Sequence, residues 1–240
     1  MTTAMQRRHE QDQQQHSDEH DIVDVGNDSE GEETKDNDMV VGTDGMYNES
    51  FSLVDINAQE IALEQMAAEA TEALARLPTL ERLAELRSIE DVQVRRQKTK
   101  DVHALLLREW KQDRRWGGMG RHLVEDIHVS FRRGFEMLVK KGEMRREVNV
   151  SSFRQLDNSL HYHHSIEDHS WFPRLKQLHP ESRSEVDILE RDHRKLIELE
   201  SRVASGDYDA LVEFVEHLMD HLNREEMLSV PWLLEGTGGL

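Results

Sequence analysis

The chain has 240 residues and no cysteine. That absence excludes disulfides, cysteine-based zinc sites, iron–sulfur clusters and thiol catalysis, and it fits a reducing compartment. No apolar run approaches the roughly 18–20 residues that span a bilayer. The N-terminal stretch MTTAMQRRHEQDQQQHSDEH contains nothing that would serve as a secretory signal. A soluble protein of the cytoplasm, with no membrane partner, is the expectation. Basic charge is also scarce: 30 Lys and Arg against 49 Asp and Glu leave a formal net charge of −19. Binding nucleic acid through its phosphates needs a basic face, so that partner is not expected either. The one basic run, Arg95-Arg96-Gln97-Lys98-Thr99-Lys100, reads as a solvated helix face, with a nuclear-import signal as the alternative. There is no phosphate-cradling loop, since Gly117-Gly118-Met119-Gly120 is too short and follows no strand pattern. No nucleophile triad stands out, and no catalytic residue is assigned.

What is present divides into three stretches. Residues 1–50 carry 3 basic and 14 acidic side chains among Gln, Asn, Ser and Gly. They have too little apolar surface to offset the entropy of ordering, so a disordered acidic tail is expected, with His9, His16 and His20 as bystanders in it. Residues 51–116 are rich in Ala, Leu, Glu, Gln and Arg, which favour helix. Pro78 divides them into two helices. Ile61, Leu63, Met66, Ala70 and Leu74 stripe the first, and Leu80, Leu83, Leu86, Ile89 and Val92 the second, with Val102, Leu105, Leu106 and Trp110 extending it. These helices would pack on the C-terminal domain or on a protein partner.

Residues 118–235 read as four further helices. The first runs from about Gly120 to Lys141. The second begins at Ser152, where Gln155 fits a capping box, and ends before Pro180. The third follows Pro180 and stops at Gly206. The fourth is capped by Asp207 and runs to about Ser229, before Pro231. The fold class is therefore all-α: an up-down-up-down four-helix bundle preceded by two additional helices and the acidic tail.

The inward stripe of each helix, taken in steps of three and four, carries the chemistry. The first gives Val124, His128, Phe131, Phe135, Leu138. The second gives Phe153, Leu156, Leu160, His163, Glu167. The third gives Val186, Leu189, His193, Leu196, Val203. The fourth gives Leu211, Phe214, Leu218, His221, Glu225, Leu228. Each helix places one histidine among apolar residues, and two add a glutamate one turn later. A lone core histidine is usually hydrogen-bonded and nothing more. Four with two inward carboxylates are different, because ionised carboxylates are rarely buried unless paired or bound to metal. Four imidazoles and two carboxylates without sulfur suit iron, and a bridged pair of ions would use them all.

The segment His161-Tyr162-His163-His164-Ser165-Ile166-Glu167-Asp168-His169-Ser170-Trp171-Phe172-Pro173 resembles the signature of the hemerythrin-like (HHE cation-binding) domains. Glu190-Arg191-Asp192-His193 resembles their third-helix motif, His221-Leu222-Asn223-Arg224-Glu225-Glu226 their fourth, and His128 stands at the first-helix position, with His122 as rival. The resemblance covers about residues 118–235. It implies two non-haem iron ions on His128, His163, Glu167, His193, His221 and Glu225, with dioxygen, peroxide or another small molecule as ligand. Oxygen-carrying members resemble this pattern but add a third-helix histidine at the position held here by Leu189. His164 or Glu190 would then complete the set, or a position stays open. Related domains with fewer histidines include an iron- and oxygen-sensing module of an F-box ubiquitin ligase. Binding or sensing of dioxygen or iron is the resulting expectation, and an enzymatic role is not favoured.

Two other readings compete. A ferritin-like oxidase or ferroxidase would use Glu-x-x-His pairs, and Glu125-Asp126-Ile127-His128 and Glu190-Arg191-Asp192-His193 have that form. It would leave His163 and His221 without a task. A metal-free helical scaffold would leave every stripe histidine and glutamate unexplained. His103 and His179 read as surface positions, His217 as a surface residue or a support to the site, and Trp171, Phe172 and Trp232 as core.

Overall fold

The computed structural model describes residues 53–236, with side-chain surroundings from residue 57 onward. The acidic tail and its His9, His16 and His20 lie outside the described residues. Among the described residues every regular element is helical.

The N-terminal stretch forms three helices: α1 (Leu53–Arg76), α2 (Thr79–Ser88) and α3 (Val92–Gln112). The break at Pro78 is as expected, but a second interrupts the run expected to continue through Val92. Ile89 takes an extended conformation, and Asp91 then caps α3 by accepting from the backbone N–H groups of Gln93 and Val94. An Asx cap of this kind satisfies donors that a continuous helix would not need to expose, so the break is built in. At the end of α1, buried Arg82 donates to the carbonyls of Leu74, Ala75 and Leu77, supplying the partners that a helix C-terminus lacks. Ile61, Leu63 and Met66 of the expected α1 stripe stay exposed.

Next come α4 (Met119–Arg121), a π-helical segment (His122–His128) and α5 (Val129–Gly142). After a loop follow α6 (Val150–Ile166), a second π-helical segment (Glu167–Trp171) and α7 (Phe172–Leu178). A 3₁₀ turn (Pro180–Ser182), α8 (Arg183–Ala204) and α9 (Tyr208–Glu235) complete the chain. α6 starts earlier than the capping box at Ser152 suggests, because the Asn149 side chain accepts from the Ser152 N–H and is the true cap. α9 does not stop before Pro231 but carries it inside the helix and ends at Gly236. Gly206 ends α8 with φ +94°, a left-handed conformation open to glycine at little cost.

Two apolar clusters fill the interior. One combines Leu83, Leu86, Val102, Leu106 and Trp110 of the N-terminal helices with Val124, Trp171, Phe172, Leu175, Val186, Leu189, Met227 and Leu228. The other contains Phe131, Phe135, Leu138, Phe153, Leu160, Leu196, Leu199, Val203, Phe214 and Leu218. The order in which the chain visits them reverses with each successive long element. Val124 precedes Phe131 along the first, Leu160 precedes Trp171 along the second, Val186 precedes Leu196 along the third, and Leu218 precedes Met227 along the fourth. In all four, the histidines and glutamates of interest fall at the crossing between clusters.

Close approach at Gly142 joins α5 to the following loop and to α9: a Cβ there would overlap the Glu147 carbonyl oxygen and crowd the Tyr208 ring. Gly142→Ala is therefore expected to destabilise the fold by about 1–3 kcal/mol, measured as a lowered denaturant midpoint at unchanged slope. An unchanged midpoint would show that the loop yields freely.

Candidate metal centre

The six residues picked from the stripes converge, and His164 joins them. Their donor atoms fall into two groups, each with members mutually within 4.8 Å. One comprises His128, His163, Glu167 and Glu225; the other comprises His164, His193, His221 and Glu167. Glu167 belongs to both. Its Oε1 lies 2.8 Å from His163 Nε2, and its Oε2 lies 3.3 Å from His193 Nε2. Within the groups, His128 Nε2 is 3.1 Å from His163 Nε2 and 3.2 Å from Glu225 Oε2. His193 Nε2 and His221 Nε2 are 3.2 Å apart, and His221 Nε2 is 3.8 Å from Glu225 Oε2. All seven residues are buried.

Local helix geometry makes this convergence. His128 closes the first π-helical segment and Glu167 opens the second. A π turn widens the helix and turns neighbouring side chains off the ordinary wheel, and such turns recur at functional sites. His163 and Glu167, one α-helical turn apart at the end of α6, face the centre together with the adjacent His164. The His164 ring stacks on that of His193 with centroids 3.8 Å apart. Phe131 lies beside His163 and Phe172 beside His193, closing the sides with apolar surface.

Several imidazoles are also held from behind. His128 Nδ1 lies 2.8 Å from Glu226 Oε1, and His193 Nδ1 lies 2.9 Å from Asp168 Oδ1. Carboxylates at Nδ1 fix the tautomer that leaves Nε2 free to act as a ligand. Asp192 stands 3.5 Å behind His221 Nδ1, too poorly placed to bond it, and is itself held by Arg224 at 2.7 Å. Glu226 is the hub of the other side. Besides His128 it takes Arg132 at 2.6 Å and His103 Nε2 at 2.5 Å. His103 is thus a buried residue of α3 and not the surface position expected from its sequence surroundings. Its partner is 123 residues away, a separation no local pattern reveals. His179, also expected at the surface, stacks on Trp232 with centroids 4.3 Å apart. His217 lies 3.3 Å from Asp192 and so borders the support of the site.

Charge is distributed unevenly among these groups. Burial disfavours the charged form of His128, but Glu225 and Glu226 outweigh it and lift its pKa to about 10. His193 behaves alike, with Asp168 and Glu167 overcoming burial to give about 9. Burial pushes His221 down to about 4, and burial with the nearby His193 and His221 holds His164 far below the usual histidine range. Burial raises Glu225, and the neighbouring Glu167 charge adds to it, whereas His163 and His193 overcome burial and keep Glu167 well below the usual carboxylate range.

The fit to a cation follows from what these atoms lack. Both oxygens of Glu167, both of Glu225 and Nε2 of His164 are buried without a hydrogen-bond partner. A buried carboxylate left so costs several kcal/mol. Nitrogen lone pairs and carboxylate oxygens pointing at common centres without aligned hydrogen bonds are what metal coordination requires. The rival candidates point elsewhere. His122 is exposed and pairs with Asp126 at 2.9 Å. Glu125 pairs with Lys111 at 2.9 Å, and Glu190 with Lys176 at 2.6 Å, so neither joins the cluster. Leu189 packs in an apolar cluster, and the additional imidazole comes from His164 on the second helix.

Residues 119–233 match the family model of the hemerythrin HHE cation binding domain. Neither the curated proteins nor the solved structures compared with the chain gave a match. The matched segment of this cation binding domain contains every residue of both donor groups.

Glu226 tests the supporting shell. Glu226→Gln keeps its shape but removes the charge shared by His103, Arg132 and His128. It is expected to weaken metal retention about 10–100-fold in competition with a chelator, with the helical circular dichroism unchanged. Retention equal to wild type would mean that Glu226 serves packing alone.

Proposed function

We propose that the HHE cation-binding domain of residues 119–233 holds a pair of non-haem iron ions and binds or senses dioxygen, a related small ligand or iron itself. His128, His163 and Glu225 would hold one ion and His164, His193 and His221 the other, with Glu167 within reach of both groups. The observation that carries this reading is the position of Glu167 in both donor groups, its two oxygens facing different imidazoles. A mononuclear site would leave at least three of the seven residues buried to no purpose. The nitrogen- and oxygen-rich donor set, without sulfur, favours iron over softer-ligand metals. Bound irons would supply redox-active coordination positions for a small diatomic or peroxide ligand.

The chain's own residues prepare the setting. Glu226 and Asp168 hold protons at Nδ1 of His128 and His193, so their Nε2 atoms stay available. Phe131 and Phe172 cover faces of the His163 and His193 rings with apolar surface. The alternating order of the two apolar clusters along the four long elements supports an up-down-up-down four-helix bundle around the centre. The extension helices are the candidate surface for a protein partner, since α1 leaves Ile61, Leu63 and Met66 exposed. A cytoplasmic setting fits the absence of cysteine, and no described helix is long and apolar enough to cross a membrane. The ferritin-like alternative is disfavoured by the lysine pairings of Glu125 and Glu190.

Metal analysis with optical absorption on protein from iron-supplemented medium tests the proposal. About two irons per chain are expected, with near-ultraviolet and visible charge-transfer bands that disappear in His163→Ala, Glu167→Ala. Protein that folds without metal and cannot be reconstituted would overturn it. His164→Ala is expected to lose iron, whereas Glu190→Gln keeps both ions. The opposite pattern would favour the carboxylate-rich reading.

A further inference from the structure

The flank of α6 that faces α8 carries another group of donors. Asp157 and His161 lie one helical turn apart on α6, and Glu200 reaches them from α8. One donor atom from each falls within 4.8 Å of the others. His161 Nε2 is 2.8 Å from Glu200 Oε1 and 4.0 Å from Asp157 Oδ2. Ligands around a tetrahedral ion with bonds of about 2.1 Å stand about 3.4 Å apart, so these separations bracket what a small cation needs.

Asp157 is only 9% exposed; its Oδ2 is the oxygen turned toward His161, and its Oδ1 has no hydrogen-bond partner. Among the described residues, neither Asp157 nor Glu200 has a lysine or arginine within ion-pair distance; both have only His161. That sets them apart from buried Asp192, which is held by Arg224, and from Glu185, which is held by Arg87. Burial and the charge of Glu200 push the Asp157 carboxyl up to about 6. The charge of two carboxylates matches that of one divalent ion.

We infer that Asp157, His161 and Glu200 form a second metal site, separate from the HHE centre, that takes one divalent transition cation such as zinc or ferrous iron. One nitrogen and two oxygen donors without sulfur suit that class. Three protein ligands leave coordination positions for water. The His161 side chain is 44% exposed and that of Glu200 22%, so the ion sits at the solvent boundary and exchanges with solution. The ligands of the HHE centre, by contrast, are enclosed.

The test uses the full chain and zinc as probe. Wild type, Asp157→Asn, Glu200→Gln and His161→Gln are dialysed against a zinc series, and bound metal per chain is measured beside a circular dichroism melt. Wild type is expected to hold one zinc more than each variant, or to hold that zinc at least about tenfold more tightly. The result is read as a difference between chains that share an unaltered HHE centre, so failure of the diiron reading leaves it intact. Asp157→Asn should also raise the melting temperature of chelator-treated protein and abolish the further rise that zinc gives to wild type. Equal stoichiometry and affinity in all four chains, with the same zinc-induced shift, would overturn the site and leave His161–Glu200 as an ion pair beside a strained carboxyl. Half-exposed His161 keeps the comparison usable if either carboxylate variant fails to fold.

Discussion

Two carboxylates, Glu167 and Glu225, sit wholly inside the protein, and much of the local structure is arranged around their compensation. Neither has a hydrogen-bond partner, and both lie where the chain crosses from one apolar cluster to the other. Burial of this kind is tolerated only where something positive is supplied at close range. Imidazoles from four long elements converge on these oxygens, and the neighbours behind the imidazoles orient them. The π-helical turns at His128 and Glu167 are part of the same arrangement, giving up regular helical hydrogen bonding to bring adjacent side chains inward.

The N-terminal helices are tied into that arrangement. α3 contributes to an apolar cluster through Val102, Leu106 and Trp110, and it delivers His103 to Glu226, which in turn holds His128. Arg96 on the same helix pairs with Asp220 and Glu216 of α9. The extension is therefore linked to His128 of the donor cluster by two hydrogen bonds, His103 to Glu226 and Glu226 to His128.

Much of this could be read from the sequence, and the exceptions have physical causes. A 3.6-residue wheel finds His163 with Glu167 and His221 with Glu225, because each pair is one turn apart on a helix that buries a single stripe. The same wheel separates His163 from His164, yet both reach the centre, one in each donor group, with His164 stacked on His193. Glu125 and Glu190 have the spacing of ligands but find lysines instead, an outcome decided by neighbouring helices and not by local order. His103 looks like a surface residue because the partner that buries it is more than a hundred positions away. The break at Ile89–Asp91 went unread because leucine spacing continues across it, while Pro231 does not end α9 as a proline is expected to. The break at Asp91 is a local cap that the apolar spacing hides, whereas Glu125, Glu190 and His103 are decided by partners on other helices.

The central claim is that the two donor groups hold a pair of ions across Glu167. X-ray absorption at the iron edge of the loaded protein tests it most directly. The account predicts a first shell of nitrogen and oxygen with imidazole scattering and an iron–iron vector of up to about 3.5–4 Å, lost in Glu167→Ala. A spectrum of isolated iron with no metal–metal scattering, unchanged by that substitution, would contradict it.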